Sequence, residues 1–333
     1  HRDTSVRVNA KYLGSDHENA EFVYRGYENT DNIMEPICKA IRIFREKELI
    51  YNDTCGIHIH SSQLSKDIIE RTGRTWDLYN LLKVCKFYID IEDLFYSFIP
   101  KNRATKKHSK KMVLNNENFY YAIKNMPARV IDNIPNFDTN TIKEMIGNMW
   151  YNKTDYSYNA GHKYDNSRYL GFNVHSFFYR GTLEFRQFDG DYNMLPRFVD
   201  FIDKIFNFIE NNTAESIELF IRNLNTISDM EEKLEKLLSR LNVSPKTKEI
   251  FIKRAKKFNS EMFTEDYEPS EENSTRNTEL HPRDYINALH ERLRERESTS
   301  EYENVFEETH SEPYLEYDLT EIINNSAETR RSA

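Results

Sequence analysis

The chain has 333 residues, of which 38% are hydrophobic and 30% charged, and it carries a net charge of −9. This length suffices for one large domain or two ordinary ones, and the 21 Phe and 21 Tyr residues predict a core built from rings as much as from aliphatic side chains. No apolar stretch approaches the roughly 20 residues that span a bilayer. The start at His1 also lacks the apolar segment of a signal peptide, so we expect no membrane contact.

The cysteine content indicates the compartment. Cys38, Cys55 and Cys85 show neither a paired framework nor CxxC spacing, which is typical of reducing conditions. We therefore expect a cytoplasmic protein. Because the chain begins with His rather than Met, association with a virion is the alternative if processing generates that N-terminus.

Charge is distributed unevenly along the chain. Residues 265–333 hold 19 acidic and 7 basic residues, which leaves a small positive balance for residues 1–264. The acidic segment is rich in Glu, Ser, Thr and Asn, and it cannot bury enough apolar surface to offset the entropy of ordering it. We therefore predict a folded domain over 1–264 and a mostly disordered acidic tail over 265–333, which is a candidate binding segment for a protein partner.

The first half of the predicted domain alternates between strands and helices. Residues 20–24 have the pattern of a short strand, and apolar residues recur at helical spacing over 33–44. Residues 56–60 alternate with period 2, which predicts a second strand. A helix is predicted over 76–98, and a basic loop over 101–111 follows it.

The second half begins with a predicted hairpin and ends in helices. Residues 169–178 and 181–188 have the pattern of two strands joined by a short turn. A long helix with an apolar face over 198–209 follows, and two further amphipathic helices are predicted around 231–241 and 244–258. This order predicts an α+β domain, in which an antiparallel or mixed sheet has helices packed on one face.

The first set of candidate functional residues is the histidine pair of the predicted strand at 56–60. Side chains two residues apart on a strand share a face, so His58 and His60 project side by side. Imidazole nitrogens in that position ligate metals or donate to phosphate oxygens. The H-x-H pattern alone fits two ordinary surface histidines equally well.

The second set lies in 168–175 and 181–188. Along the later strand, Thr182, Glu184 and Arg186 are predicted on one face. The opposite face is predicted to carry Leu183, Phe185 and Gln187. A carboxylate beside a guanidinium is either a plain structural ion pair or a metal-binding carboxylate next to a phosphate-binding fork.

Taken together, the two sets resemble the amidoligase family, a group of ligases similar to glutamine synthetase and gamma-glutamylcysteine ligase. Members carry C-G-x-H-x-H, then R-Y-x-x-x-N, then T-x-E-F-R, and this chain has all three motifs in that order. The matching residues are Cys55, Gly56, His58, His60, Arg168, Tyr169, Asn173, Thr182, Glu184, Phe185 and Arg186.

Two further segments carry the resemblance, which extends over residues 15–210. Residues 21–23 resemble the family's acidic strand, and residues 100–103 resemble its P-x-x-R loop. The resemblance implies a glutamine-synthetase-like catalytic domain over 1–264. Family members also open with a strand carrying G-x-E-x-E, which residues 1–20 do not contain.

The resemblance implies formation of an amide between a carboxylate and an amine, driven by ATP with Mg²⁺ or Mn²⁺ through an acyl-phosphate. The substrates would be small molecules or peptides. The implied metal ligands are His58, Glu184 and Glu21. The implied cofactor contacts are His60, Arg186, Arg103, Arg168 and Asn173. The implied catalytic residues are Arg186 and Glu21.

Two other classes of protein fit parts of the pattern. H-x-H on a strand also opens the metal sites of amidohydrolase-type hydrolases, for which His162 or His175 would add ligands. A catalytically inactive relative that serves in assembly or binding is the third class. We expect no nucleic acid as partner, because the basic loop over 101–111 lacks interleaved aromatic residues and serves equally as a rim that attracts ATP or an acidic substrate.

Overall fold

The computed structural model describes residues 30–49, 51, 55–62, 77–105 and 108–260. Strands β1 (Gly56–Ser61), β2 (Phe172–Asn173) and β3 (Leu183–Asp189) form an antiparallel sheet in the order β1-β3-β2. Within these ranges the α-helices are α1 (Thr30–Glu46), α2 (Leu78–Ser97), α3 (Asn102–Thr105), α4 (Glu117–Lys124), α5 (Ala128–Asp132), α6 (Thr139–Tyr151), α7 (Ser157–Gly161), α8 (His175–Arg180), α9 (Leu195–Glu210), α10 (Ala214–Leu224), α11 (Met230–Arg240) and α12 (Pro245–Ser260). The expected α+β class is confirmed. The predicted strand at 20–24 and the tail at 265–333 lie outside the described residues.

Helix α2 is the centre of the core, because it is buried around most of its circumference. Tyr88 stacks on Phe172 of β2 with ring centroids 4.4 Å apart, and Phe95 lies 6.4 Å from both Phe185 and Phe188 of β3. Ring pairs of this kind add about 0.5–1.5 kcal/mol each beyond their buried area. Aromatic contacts therefore fix the sheet on α2. In the described part of the chain no helix is long and apolar enough to cross a membrane.

The C-terminal helices continue the same aromatic core. The predicted apolar face of α9 is buried, and its Phe198 stacks on Phe188 with centroids 4.2 Å apart. Helices α11 and α12 confirm the predictions around 231–241 and 244–258, and Phe251 of α12 stacks on Phe98 at 4.6 Å. Helix α10 was not predicted, although Thr213 marks its start by accepting a hydrogen bond from the Ser216 N–H.

The predicted hairpin is wrong in its first strand. Strand β2 has two residues, and the chain then enters helix α8 before reaching β3. The Asn173 side chain accepts the backbone N–H of Ser176, which favours a helical turn at this point. Gly181 ends the helix with φ of 77°, a left-handed conformation that glycine adopts without strain. The chain reversal was predicted correctly, but a helix forms part of it.

Strand β3 departs from strict alternation through a β-bulge. Ile57 of β1 pairs with Phe188 and Ile59 pairs with Phe185, so two residues of β3 between these pairs lie opposite one residue of β1. As a result Phe185 and Phe188 both face α2, although they are three residues apart. The predicted two-residue alternation of faces therefore holds as far as Arg186, which contacts Glu184, and fails beyond it.

Helix α12 is tied to the end of β3 by a half-buried ion pair. Arg254 donates to Asp189 at 2.6 Å, to Asp191 at 3.4 Å and to the Phe98 carbonyl at 3.0 Å. Because Arg254 and Asp189 are each only 14% exposed in their side chains, removal of one partner leaves the other poorly solvated.

We expect Arg254→Met to lower the free energy of unfolding by roughly 2–3 kcal/mol, near the lower end of the range for a broken buried pair. The matched control is Lys253→Met on the same helix. Lys253 pairs with Glu249 at the exposed surface, so its loss should cost less than about 0.5 kcal/mol. Urea unfolding of both full-length variants measures the difference, and equal losses would show that the ion pair does not anchor α12.

Candidate active site

The candidate site is centred on the carboxylate of Glu184, in the middle strand of the sheet. Glu184 is 5% exposed, and the strand register places it directly opposite His60 of β1 and Asn173 of β2. One residue from each strand therefore meets at the same level. This arrangement follows from antiparallel pairing, in which directly opposite residues project to the same face.

Four side chains surround this carboxylate. Arg186 Nη1 donates to Glu184 Oε1 at 2.6 Å, and Asn173 Nδ2 donates to Oε2 at 2.6 Å. His60 Nε2 lies 3.3 Å from Oε1, and His58 Nδ1 lies 3.6 Å from the same oxygen. The structure thus brings together five of the residues that the motifs singled out.

The electrostatics of the cluster favour an ionised carboxylate beside a neutral imidazole. Burial by itself raises the pKa of Glu184, but the hydrogen bond from His60 and the charge of Arg186 outweigh it, and the net pKa is well below the usual range. The pKa of His58 is lowered to about 3, first by removal of the ring from water and then by the charge of Arg186.

Arg103 supports the site from behind the strands. Its guanidinium donates to the carbonyl of Arg186 at 2.7 Å, to that of Gln187 at 3.3 Å and to that of Cys55 at 3.5 Å. A Cβ at position 56 would lie 2.6 Å from Arg103 Nη2, which explains the glycine there. Arg103 is therefore adjacent to the site but directed at the backbone of the bulge, and it is 4% exposed.

The segment 108–112 fixes the two arginines. The His108 carbonyl accepts from Arg186 Nε at 3.0 Å, and the Ser109 hydroxyl donates to the Arg103 carbonyl at 2.6 Å. Tyr96 in turn donates to the Ser109 carbonyl at 2.6 Å. This support was not predicted, because the segment was treated only as a basic loop.

A further predicted residue, Arg168, makes its contacts outside the Glu184 cluster. It donates to the Lys163 carbonyl at 2.9 Å and lies over the Tyr169 ring, which has an edge contact with the His108 ring. Glu21 lies outside the described residues.

The two histidines named as further metal ligands are separate from each other. His162 stacks against Tyr158 at 6.2 Å, and His175 is buried with its Nδ1 2.5 Å from the Tyr151 hydroxyl. Across the described ranges, no group of three or more His, Cys, Asp and Glu side chains is placed to hold a metal ion.

The donors present nevertheless fit a metal of the magnesium type that is shared with a phosphate ligand. Mg²⁺ prefers oxygen donors and commonly takes one or two protein carboxylates, with substrate phosphates and waters completing its shell. Glu184 offers an ionised carboxylate, and His58 offers an imidazole whose low pKa leaves a nitrogen lone pair for ligation. These two residues would hold the ion.

Two hydroxyl side chains also contact the site, and neither was assigned a role from the sequence. Thr182 Oγ1 lies 3.0 Å from His60 Nδ1, and Ser176 Oγ lies 3.3 Å from the same nitrogen. Thr182 is part of the T-x-E-F-R motif, which could have drawn attention to it. Ser176 carried no such signal, because the helix that presents it was expected to be a strand.

Fold and site together define an α+β protein in which a buried carboxylate, two histidines and an arginine meet on a small antiparallel sheet. The chain matches the family model described as "putative amidoligase enzyme" over residues 2–195, more than half of its length. It therefore belongs to the amidoligase family, which indicates an amide-bond-forming ligase. Comparison with curated proteins and with solved structures gives no match.

The low pKa of His58 predicts a specific acid sensitivity. The folded protein holds His58 neutral where the unfolded chain binds a proton, so stability is lost as pH falls below about 6.5. We expect His58→Gln, in metal-free buffer, to flatten the pH dependence of the unfolding free energy between pH 6.5 and 5. The effect stays below the one-proton limit of about 1.4 kcal/mol per pH unit, because the ring is partly exposed.

The matched control is His162→Gln, at an exposed histidine away from the sheet. Urea titrations at several pH values compare the two variants with the unmodified chain. An unchanged slope in His58→Gln would show that burial of the His58 ring does not couple folding to protonation.

Proposed function

We propose that the protein joins a carboxylate to an amine at the expense of ATP, through an acyl-phosphate. The observation that carries the proposal is the buried, ionised Glu184 between the two histidines and Arg186, in a chain of the amidoligase family. A carboxylate oxygen would attack the γ-phosphorus of ATP, with ADP as leaving group. The amine would then attack the acyl carbon, losing a proton as phosphate departs.

Each residue of the cluster has a chemical task in this reaction. A magnesium ion held by Glu184 and His58 would neutralise charge on the triphosphate. Arg186 presents a planar fork of donors, suited to the equatorial oxygens of the transferring phosphoryl group. Asn173 holds the second oxygen of Glu184 and so keeps the first directed toward His58 and His60.

The outer residues are proposed to act on substrates. Arg168 would bind the substrate carboxylate, and His60 would contact the nucleotide. Glu21 is proposed as a ligand of a second metal or as a contact for the incoming amine. Arg103, whose donors contact backbone carbonyls, would act by holding the bulge beneath Arg186.

A protein that binds the magnesium–nucleotide complex without turning it over is the second candidate. The observation that favours it is the direct 2.6 Å ion pair between Arg186 and Glu184. In the ligase reaction Glu184 would instead bind the metal and Arg186 the transferring phosphoryl group. Nucleotide binding without release of phosphate, in the presence of carboxylates and amines, identifies this candidate.

Nucleotide binding should require the metal. We expect the full chain to bind ATP at least about tenfold more tightly with Mg²⁺ than with EDTA, a difference of about 1.4 kcal/mol. Glu184→Gln should lose this metal dependence, while Glu249→Gln on the exposed face of α12 should keep it. Isothermal titration calorimetry measures all three proteins, and equal affinity with and without Mg²⁺ in the unmodified chain contradicts the ligase proposal.

Arg186 should act on the transition state more than on the bound nucleotide. We expect Arg186→Ala to lower phosphate release by about 100-fold or more, on the scale of losing one electrostatic stabiliser, with ATP affinity close to that of the unmodified chain. Arg186→Lys should not restore the rate, because an ammonium lacks the planar fork.

The assay follows phosphate release from ATP when a mixture of amino acids supplies carboxylates and amines. Arg222→Ala, at an exposed pair on α10, is the control and should keep the full rate. A fully active Arg186→Ala variant would leave Arg186 as no more than a structural partner of Glu184.

A further inference from the structure

A closed ring of hydrogen bonds links Glu184 to both edges of the sheet and to helix α8. His60 Nε2 lies 3.3 Å from Glu184, and His60 Nδ1 lies 3.0 Å from Thr182 Oγ1. Thr182 Oγ1 is 3.0 Å from Ser176 Oγ. The Ser176 N–H donates to Asn173 Oδ1 at 3.3 Å. Asn173 Nδ2 donates to Glu184 at 2.6 Å, which closes the ring.

The direction of each hydrogen bond follows from groups that can only donate. A backbone N–H only donates, so the amide oxygen of Asn173 faces Ser176 and its NH₂ group faces Glu184. Oε2 of Glu184 therefore accepts from Asn173. Oε1 accepts from Arg186, which also only donates, so both carboxylate oxygens are acceptors. His60 Nε2 must therefore carry a hydrogen toward Glu184.

The tautomer of His60 follows from the same ring. In a neutral imidazole with hydrogen on Nε2, Nδ1 is an acceptor and needs a donor. Thr182 Oγ1 is the closer of the two hydroxyls, at 3.0 Å against 3.3 Å for Ser176 Oγ. A Thr182 hydroxyl that donates to Nδ1 leaves its oxygen to accept the hydrogen of Ser176 Oγ, which lies 3.0 Å away. The Ser176 hydroxyl polarises the Thr182 hydroxyl, which strengthens the hydrogen bond from Thr182 to His60.

We infer that Ser176 and Thr182 are positioning residues, which hold His60 as the Nε2–H tautomer and keep its N–H directed at the Glu184 site. The inference rests on the proposed function for its consequence: His60 would be a hydrogen-bond donor to a nucleotide phosphate, whereas His58 provides the metal-ligating lone pair. The two histidines are thereby assigned different chemistry by their surroundings.

The contrast between the two imidazoles supports this division. His58 Nδ1 is 3.6 Å from Glu184, which exceeds hydrogen-bonding distance, whereas both nitrogens of His60 lie within 3.3 Å of a partner. The fold also provides a reason for helix α8. In the helix, the Ser176 N–H reaches Asn173 while the Ser176 hydroxyl reaches Thr182. An extended strand after Asn173 would not allow Ser176 to make both contacts.

Nitrogen NMR of the full chain labelled at histidine tests the inference without an activity assay. We expect His60 to show a protonated Nε2 and an unprotonated Nδ1, assigned by comparison with His60→Gln. Thr182→Val, which keeps the side-chain shape, combined with Ser176→Ala should give a mixture of tautomers. Thr182→Ser should retain the single tautomer, and Thr226→Val on the surface should change nothing.

The nucleotide gives a second measurement. The Thr182→Val, Ser176→Ala double variant should bind ATP with Mg²⁺ about tenfold more weakly than the unmodified chain, as expected when one ordered hydrogen bond is lost, and Thr182→Ser should restore most of the affinity. Thermal melting of Thr182→Ser and of the double variant establishes that both are folded.

The results separate this inference from the proposed function. A mixed or Nδ1–H tautomer in the unmodified chain overturns the inference, whatever the nucleotide does. A single Nε2–H tautomer that is lost in the double variant supports the positioning role. If the unmodified chain with that tautomer does not bind ATP, the proposed function fails by itself.

Discussion

The burial of the Glu184 carboxylate is the constraint on which the rest of the site depends. An ionised carboxylate removed from water costs several kcal/mol unless charged and polar partners replace its hydration. Arg186 supplies the opposite charge, but Arg186 is itself 5% exposed and needs acceptors. The His108 carbonyl accepts a hydrogen bond from Arg186 Nε, and Arg103 donates a hydrogen bond to the carbonyl of Arg186. The His108 carbonyl and the bulge in β3 are therefore both linked to this one buried charge through Arg186.

Much of this cluster was predictable because its strongest signals are local. The period-2 pattern of G-I-H-I-H placed His58 and His60 on one face of a strand, and T-L-E-F-R did the same for Glu184 and Arg186. Strand pairing then brings the two sets together, since each strand packs aromatic or aliphatic residues against the hydrophobic core on its opposite face. The long amphipathic helices were predictable for the same reason, namely that their apolar faces repeat at helical spacing over many residues.

The parts that were not predicted depend on contacts that leave no sequence signal. Any residue supplies a carbonyl, so nothing in the sequence marks the His108 carbonyl as the acceptor for Arg186. The bulge shows only as an unusual three-residue spacing between Phe185 and Phe188. Helix α8 has six residues rich in aromatics, a composition that fits a strand equally well. Its first turn is supported by the Asn173 side chain, which is also a neighbour of Glu184.

The helices beyond residue 195 bear on the site although they follow the matched part of the chain. Phe198 of α9 stacks on Phe188, and Arg254 of α12 forms an ion pair with Asp189, so both helices contact the last two residues of β3. Strand β3 carries Glu184 as its second residue, and its bulge at Arg186 and Gln187 lies between Glu184 and the C-terminal end of the strand. Any loosening of its C-terminal end would move the bulge and the Arg186 backbone, and through them the partner of the buried carboxylate. The C-terminal helices are therefore part of the support for the site rather than an independent unit.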